Sequence, residues 1–335
     1  MSFIPLIEHT RGNLAEVIHA GAIAVVDTRG KLIASAGDAH ALTFTRSTLK
    51  PFQALPFLQG GGPQHFAFTP PQVALLCASH NGEAMHVEQI DSMLQKIGTT
   101  YHTLQCGCHV PLRFSYGGQA APADAQYDER HNNCSGKHTG FVAQCLQHGL
   151  PLENHLDAAH PLQVAIRAQV ARVAQCAESD LVAGIDGCSA PNYALPLAKL
   201  AFIFARLGSG AHDSELGEHF ELLRSAMVAH PEMVSGTGRN DLDFMRAGRG
   251  DWITKIGADG VQTIASKSRQ QAIAIKLISG HMPALYAAAV VTLEQLGWLD
   301  DAQRGTLKPW GEQILRSARG NPVGEIRAAF KLTAA

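Results

Sequence analysis

Residues 45–52 read TRSTLKPF, and this stretch decides the fold and the chemistry expected of the chain. It holds a Ser-x-x-Lys pair, Ser47 and Lys50, and residues three apart share one face of a helix. A serine hydroxyl is a weak nucleophile until a base takes its proton, and a neutral lysine amine one turn away can be that base. Pro51 is tolerated only in the first helical turn, so a helix is expected to start near Ser47 and to run to about Leu58. Its free N–H groups and dipole would stabilise a developing negative charge.

Two later motifs strengthen this interpretation. A Ser-x-Asn follows at Ser79 and Asn81, and a Lys-x-Gly follows at Lys255 and Gly257. Serine β-lactamases and penicillin-binding proteins carry Ser-x-x-Lys, Ser-x-Asn and Lys-Thr/Ser-Gly in the same order. A Ser-x-x-Lys pair alone is a weak signal, since chance supplies one in about every second chain of this composition. The order of the three motifs favours Ser47 as a nucleophile.

Composition excludes several classes of protein. The chain has 335 residues, of which 46% are apolar and 17% charged, so a substantial core is expected. The net charge is −2 and no basic run occurs, so a nucleic-acid partner is not expected. The N-terminus lacks the basic and apolar regions of a secretory signal, and the longest apolar stretch, 282–293, is too short to span a bilayer. We expect a soluble, cytoplasmic protein without a membrane partner.

The cysteines point to a metal or to reduced thiols. Their number, seven, is odd, and without a secretory signal this argues against a disulfide framework. Cys134 and Lys137 are three residues apart at the start of an expected helix, where the helix dipole stabilises a thiolate. With Asp186 and Cys188 they supply two sulfurs, a nitrogen and a carboxylate, a count suited to tetrahedral zinc. Lysine is an unusual ligand because its amine must first lose a proton, and two reduced cysteines lining a pocket are the alternative.

The segment 132–138 also has some likeness to a phosphate-binding P-loop, but the pattern fails. His131 stands where the first glycine of that motif belongs, and His138 stands where serine or threonine should follow the lysine. A nucleotide site is therefore not expected.

Periodicity predicts strands near both termini and helices between them. One hairpin is expected from Ile23–Val26 with Leu32–Ala36, and another from Trp252–Ile256 with Val261–Ala265. The predicted fold is α/β of the α+β type, a mainly antiparallel sheet packed with helices, like that of serine β-lactamases. The expected organisation is a single catalytic domain over residues 1–335, or two intimate subdomains with a helical middle at about 60–230.

The motifs taken together resemble the rhizobial-type L-asparaginases, also called class 3 or asparaginase II. The likeness runs from about residue 5 to residue 330, and it rests on residues 46–52, 77–83, 132–138, 186–191, 235–239 and 255–261. It implies a fold akin to β-lactamases and glutaminases, two serine–lysine pairs and a zinc site near the reacting centre. One departure is Asp259, where glutamate is more usual; the position has the character of a turn, so little effect on the chemistry is expected.

The resemblance also assigns roles by motif. It makes Ser47 the nucleophile beside Lys50, and it pairs Ser79 with Lys255. The candidate substrate contacts are Arg46, His138, Asn81 and Gly238. The resemblance makes Cys134, Lys137 and Cys188 the zinc ligands, with Asp186 near or in the shell of the metal. The guanidinium of Arg46 suits a substrate carboxylate, whereas for His138 a purely structural role stays open.

The expected reaction is hydrolysis of the side-chain amide of L-asparagine to L-aspartate and ammonia through an acyl-enzyme. The expected partner is this small substrate, with zinc as cofactor and a homodimer as the assembly. The alternatives are a glutaminase or another serine amidohydrolase, a penicillin-recognising acyl-serine protein, and a zinc-binding module without catalysis. A substrate panel, a labelled penicillin and the Ser47→Ala variant would separate them.

Overall fold

The structure is a computed structural model that describes residues 3–335. The chain forms two compact units. The first, here called the sheet unit, contains the residues through Thr48, Leu195–Ser209 and Asp243–Ala335. The second, here called the helical unit, contains Leu49–Ala194 and Gly210–Leu242.

The elements are numbered in chain order. The strands are β1 (Ile4–Arg11), β2 (Leu14–Asp27), β3 (Leu32–Ala36), β4 (Leu42–Phe44), β5 (Val182–Ile185), β6 (Pro191–Pro196), β7 (Trp252–Gly257), β8 (Val261–Ser266), β9 (Gln271–Leu277), β10 (Gln313–Arg316), β11 (Pro322–Ala328) and β12 (Thr333–Ala334). The helices are α1 (Lys50–Gln53), α2 (Leu55–Gln59), α3 (Gly62–His65), α4 (Pro70–Leu76), α5 (Ala84–Lys96), α6 (Leu112–Tyr116), α7 (Ser135–His148), α8 (Pro161–Ala174), α9 (Leu197–Ser209), α10 (Gly217–Ala229), α11 (Pro231–Val234), α12 (Asn240–Ala247), α13 (Met282–Gln295) and α14 (Asp301–Leu307). Short 3-10 helices lie between them, including the turn Arg46–Leu49.

The sheet unit is built on an antiparallel sheet with strand order β10-β11-β1-β2-β9-β8-β7, and β3 and β12 extend it beside β2. Both predicted hairpins are present: Ile23 pairs with Ala36, and Ile253 pairs with Ala265. Helix α9 packs on β2, β8 and β9, while α13 packs on β1, β9 and β11. All residues of 22–26 are at most 1% exposed, as expected of a strand covered on both faces.

The helical unit is organised around α4, which packs against α5, α7 and α10. A side chain at Gly136 would collide with the backbone, since a Cβ there would lie 2.2 Å from the carbonyl oxygen of Leu75. The glycine therefore lets the first turn of α7 press against the end of α4. The segments just beyond α4 and just before α7 are also joined, since the N–H of His80 donates to the carbonyl oxygen of Asn133 at 3.2 Å.

The helix expected from Ser47 to Leu58 is interrupted. A 3-10 turn, Arg46–Leu49, comes first, then α1, and Ala54 separates α1 from α2, which ends at Gln59. Pro56 explains the break, because its ring lacks the N–H that would bond to the carbonyl of Phe52 and clashes with that group. Ser47 therefore lies in the 3-10 turn before α1 rather than at the start of a continuous α-helix.

The fold class is confirmed: an antiparallel sheet and packed helices make up this mixed α and β protein. Across residues 3–335, no helix has the length and apolar character that crossing a membrane requires.

Candidate active site

In the sheet unit, the turn that carries Ser47 lies against the end of β7. Ser47 is half-buried. A Cβ at Gly257 would lie 3.0 Å from the carbonyl oxygen of Thr45 and 3.3 Å from Cγ2 of Thr48, so the glycine allows this approach. Alternate residues of a strand share a face. Lys255 therefore projects from the face of β7 that meets the Ser47 turn.

Lys255 is fully buried, and its backbone position is fixed by pairing with Thr263. Its Nζ donates to the carbonyl oxygen of Ile256 at 2.9 Å, and its own carbonyl accepts from Oγ1 of Thr263 at 3.0 Å. A buried lysine is rare unless its amine has partners or a chemical role. The position suits a group that exchanges a proton.

Arg46 and Asp259 form an ion pair within the sheet unit. Both residues have left-handed backbone, with φ of 49° and 58°, which costs residues other than glycine about 1–3 kcal/mol. Asp259 is thus more than a turn residue, because its carboxylate engages the guanidinium predicted to hold the substrate. A substrate carboxylate would have to compete with Asp259 for Arg46.

In the helical unit, Lys50 is buried and reaches Ser79. Its Nζ donates to Oγ of Ser79 at 2.9 Å, to the carbonyl oxygen of Asn133 at 3.4 Å, and to the carbonyl oxygen of Ala78. Three acceptors match the three N–H donors of an ammonium group. Ser79 is 4% exposed, and its N–H donates to the carbonyl oxygen of Val234 at 2.9 Å. A lysine and a serine are therefore held in contact in the buried part of the helical unit.

A second network in the helical unit surrounds Asn81. The Nδ2 of Asn81 donates to Glu83 Oε1 and to the carbonyl oxygen of Thr237, both at 2.9 Å. Arg239 donates to Asn81 Oδ1 at 2.9 Å and to the carbonyl oxygen of Ser79 at 3.3 Å, and its guanidinium lies over the ring of Tyr116 at 3.8 Å. The network joins the Ser-x-Asn motif to the loop that carries Gly238.

Glu83 anchors this loop. Its two carboxylate oxygens accept from the N–H of Thr237 at 2.8 Å and from the hydroxyl of Thr237 at 2.9 Å. Burial by itself raises the pKa of Glu83, but the hydrogen bonds from Asn81 and Thr237 outweigh it and the pKa is lowered. The residue is therefore a carboxylate at neutral pH.

A cavity of about 750 Å³ opens beside this network. Its lining includes Glu83, Arg113, Tyr116, Thr237 and Gly238, whereas Ser79 and Lys50 are not among the lining residues. The cavity therefore adjoins the Asn81 network rather than the Lys50–Ser79 contact.

The predicted zinc ligands form a buried cluster in the helical unit. Cys134, Lys137 and Cys188 are each at most 5% exposed, and Lys137 Nζ lies 3.0 Å from Cys188 Sγ. A hydrogen bond with Cys134 lowers the pKa of Cys188, burial opposes this, and Lys137 lowers it further. The same hydrogen bond, with burial, raises the pKa of Cys134. The two sulfurs and the Lys137 amine therefore form one buried, mutually interacting cluster.

His138 belongs to this cluster. It is fully buried, and its Nδ1 lies 2.9 Å from the carbonyl oxygen of Leu104, which requires a proton on Nδ1 and leaves a lone pair on Nε2. That Nε2 is buried and has no hydrogen-bond partner among the described residues. Burial and the nearby Lys137 lower the pKa of the His138 ring to about 4, and Cys188 opposes this shift. Asp186 is only half-buried and accepts from the N–H of Gly187 at 2.9 Å.

The predicted residues thus fall into three groups. Ser47, Arg46 and Lys255 lie in the sheet unit; Lys50, Ser79, Asn81 and Gly238 lie in the helical unit; and the cysteine cluster takes in Lys137 and His138. Sequence reasoning gave Glu83 and Arg239 no role, although both lie in motifs that it singled out. Glu83 and Arg239 are charged residues within motifs of mostly small and polar residues, and this charge was the sequence signal that could have identified them.

Comparison with known proteins identifies the family. The family described as L-asparaginase II matches residues 7–328. No curated protein matches the chain. The crystal structure of a β-lactamase from Mycobacterium bovis is similar over 82% of this chain and 94% of that chain, with 13% sequence identity and a TM-score of 0.35. Because the family match spans nearly the whole chain, the protein belongs to the L-asparaginase II family of amidohydrolases.

Proposed function

We propose that the protein hydrolyses L-asparagine to L-aspartate and ammonia through an acyl-enzyme on Ser47. The observation that carries the proposal is the buried contact of Lys50 Nζ with Ser79 Oγ at 2.9 Å. Lys50 is only three residues from Ser47, at the point where the 3-10 turn passes into α1. The family supplies the reaction class, hydrolysis of an amide.

In this mechanism the Ser47 hydroxyl attacks the side-chain amide carbon. Once its ammonium group has lost one proton, Lys50 accepts the proton of the Ser47 hydroxyl, directly or through Ser79, and passes it to the leaving nitrogen. The C–N bond breaks, ammonia departs and a serine ester remains. Water then cleaves the ester, giving aspartate and restoring the hydroxyl. Lys255 is the second basic group that can exchange protons on the sheet side.

Arg46 would hold the α-carboxylate of the substrate. A guanidinium binds a carboxylate through two parallel hydrogen bonds, and the present partner, Asp259, offers the same chemistry. Substrate binding would therefore exchange one carboxylate for another at Arg46 without leaving its charge unpaired.

The buried cluster fits a zinc ion. Cys134, Cys188 and Lys137 would hold it, with the half-buried Asp186 or a water as the fourth ligand of a tetrahedral set. Burial by itself lowers the pKa of Lys137, but Cys188 and Cys134 outweigh it and the pKa is raised. Lys137 must therefore release a proton to become a ligand. When bound, zinc would supply a fixed positive charge at this cluster.

The test is to incubate the purified protein with L-asparagine and with L-glutamine separately and to measure ammonia. Faster release from asparagine supports the proposal, and faster release from glutamine favours the glutaminase alternative. Labelling by a fluorescent penicillin without ammonia release would indicate a penicillin-recognising protein. If neither amide is cleaved, the asparaginase proposal is wrong. The predicted homodimer is measured by sedimentation of the same sample.

A further inference from the structure

Three histidines that play no part in the proposed reaction come together in the sheet unit. They are His9 on β1, His19 on β2 and His281 just before α13. Their ring centroids lie 4.7 Å apart for His9 and His19, 4.7 Å for His19 and His281, and 5.1 Å for His9 and His281. One nitrogen from each ring lies within 4.8 Å of the others. We infer that this cluster is a second metal site, which binds a divalent first-row transition ion such as Zn²⁺.

The backbone fixes the position of the cluster. Ile7 pairs with His19 across β1 and β2, so His9, two residues beyond Ile7, lies diagonally from His19 on the same face. The N–H of Ile278 donates to the carbonyl oxygen of Ala20 at 2.9 Å, which ties the segment after β9 to β2. That segment carries His281. The three rings thus converge because three backbone segments are held together there.

The hydrogen bonding of His9 and His19 leaves ring nitrogens available for a metal. The Nε2 atoms of His9 and His19 are buried and lack a hydrogen-bond partner among the described residues. Buried polar atoms without hydrogen-bond partners are uncommon in folded proteins, and a bound ion is one explanation for them. The Nδ1 of His19 lies 2.8 Å from the hydroxyl of Ser279. With Nδ1–H donating to this hydroxyl, Nε2 of His19 presents its lone pair to the cluster, as in metal-ligating histidines.

His281 is the weakest of the three ligands. Its Nδ1 accepts from the N–H of Ala284 at 3.2 Å and caps α13, which places the proton of the neutral ring on Nε2. To coordinate, the ring must turn an unprotonated nitrogen to the ion and give up the cap. Metal binding therefore competes with capping of α13, and we expect moderate rather than very tight affinity.

The charge state and exposure of the rings also suit an ion. Burial lowers the pKa of His9 and His281, and it lowers that of His19 to about 4, helped by His281 and His9. Neutral imidazoles are the form that binds metals, and a set of three favours zinc, nickel or copper over magnesium or calcium. His9 and His281 are only half-buried, which leaves access for a water as the remaining ligand. The ion would clamp β1 and β2 to the start of α13.

The test separates this site from the cysteine cluster. The full-length Cys134→Ser/Cys188→Ser protein is stripped with a chelator and dialysed against Zn²⁺. We expect it to retain one zinc per chain and to melt at a higher temperature with zinc than without. Adding His19→Gln should abolish both effects, whereas His65→Gln, a change at an exposed histidine in the helical unit, should preserve them.

Two results would overturn the inference. The first is that the Cys134→Ser/Cys188→Ser protein binds no zinc at all. The second is that adding His19→Gln to this protein leaves as much bound zinc as adding the control change His65→Gln. If His19→Gln fails to fold, His9→Gln at the half-buried ring replaces it, with the same expected loss of zinc. Loss of asparaginase activity plays no part in this test, so its outcome is independent of the proposed reaction.

Discussion

The hydroxyl of Ser47 is the smallest group on which the proposed reaction depends. Ser47→Ala removes one oxygen from a half-buried turn, so the melting temperature should change little. Ammonia release from asparagine should fall below about 1% of the wild-type rate, as expected when an acyl-forming nucleophile is lost. Ser225→Ala, at an exposed serine on α10, is the matched control and should keep full activity. A Ser47→Ala protein that keeps more activity would move the nucleophile elsewhere, with Ser79 as the next candidate.

Lys50 and Lys255 are expected to act as one proton-exchanging group. If they do, the Lys50→Met/Lys255→Met protein should lose little more activity than the worse single variant, because members of a catalytic unit are not additive. Lys50→Met also leaves the carbonyl groups of Ala78 and Asn133 without this donor, so stability must be measured beside kcat. Lys331→Met, at an exposed lysine, controls for the loss of charge. If the fold-loss of activity in the double variant equals the product of the fold-losses in the two single variants, the two lysines act separately.

Glu83 should make stability depend on pH in the acid range. Its pKa in the folded protein lies below the usual 4.5, so its contribution is fully present above 4.5 and is lost as pH falls through the lowered value. Glu83→Gln removes the charge and one acceptor for Thr237, which should cost about 1 kcal/mol at neutral pH. Urea unfolding at a series of pH values should show the two proteins converging below 4.5. A constant difference down to the acid limit would contradict this role of the carboxylate.

At the scale of elements, the contact of β7 with the Ser47 turn can be tested through one glycine. A Cβ at residue 257 would lie 3.0 Å from the Thr45 carbonyl and 3.2 Å from Cβ of Arg46, closer than ordinary packing allows. Gly257→Ala should therefore displace the turn, with a loss of about 1–3 kcal/mol in stability from overpacking and a larger proportional loss in kcat.

The matched control is Gly305→Ala in α14, where a Cβ would meet nothing within 4 Å. Alanine favours a helix over glycine by up to about 1 kcal/mol, so this variant should be slightly more stable and equally active. Equal activity in Gly257→Ala as well would mean that the turn does not need this close approach.

Local sequence predicts the strands of the hairpins correctly but does not predict where the helix after Ser47 is broken. The hairpins of β2 with β3 and β7 with β8 follow from alternating apolar residues and from turns at 27–30 and 258–260, which are short-range signals. The prediction of a continuous helix after Ser47 is wrong because Pro56 has no N–H to donate to the carbonyl of Phe52. The left-handed backbone of Arg46 was also not predictable, since nothing in an arginine side chain favours that conformation.

At the scale of the whole molecule, zinc is expected to add stability without being essential for folding. The cysteine cluster lies in a chain of 335 residues with a large core, so chelation should lower the melting temperature moderately rather than unfold the protein. Bound zinc should also fall as pH drops, because both thiols and Lys137 must lose protons to bind. Elemental analysis of Cys134→Ser and Cys188→Ser, each beside the exposed-site control Cys108→Ser, is the measurement. Cys134→Ser and Cys188→Ser should each hold less zinc per chain than Cys108→Ser, and equal zinc in all three variants would show that the cysteine cluster does not bind the metal.

The sequence by itself determined the family, the strand-rich ends and the residue types of the site, because motifs and periodicity are local properties of a chain. Only the tertiary structure decided which of these residues meet. Lys50 reaches Ser79, 29 positions away, and Arg46 meets Asp259, 213 positions away. His19 lies beside His281 although their sequence context carries no metal motif. Such contacts depend on how the elements of each unit pack, and the local sequence of one segment does not indicate which distant segment it will contact.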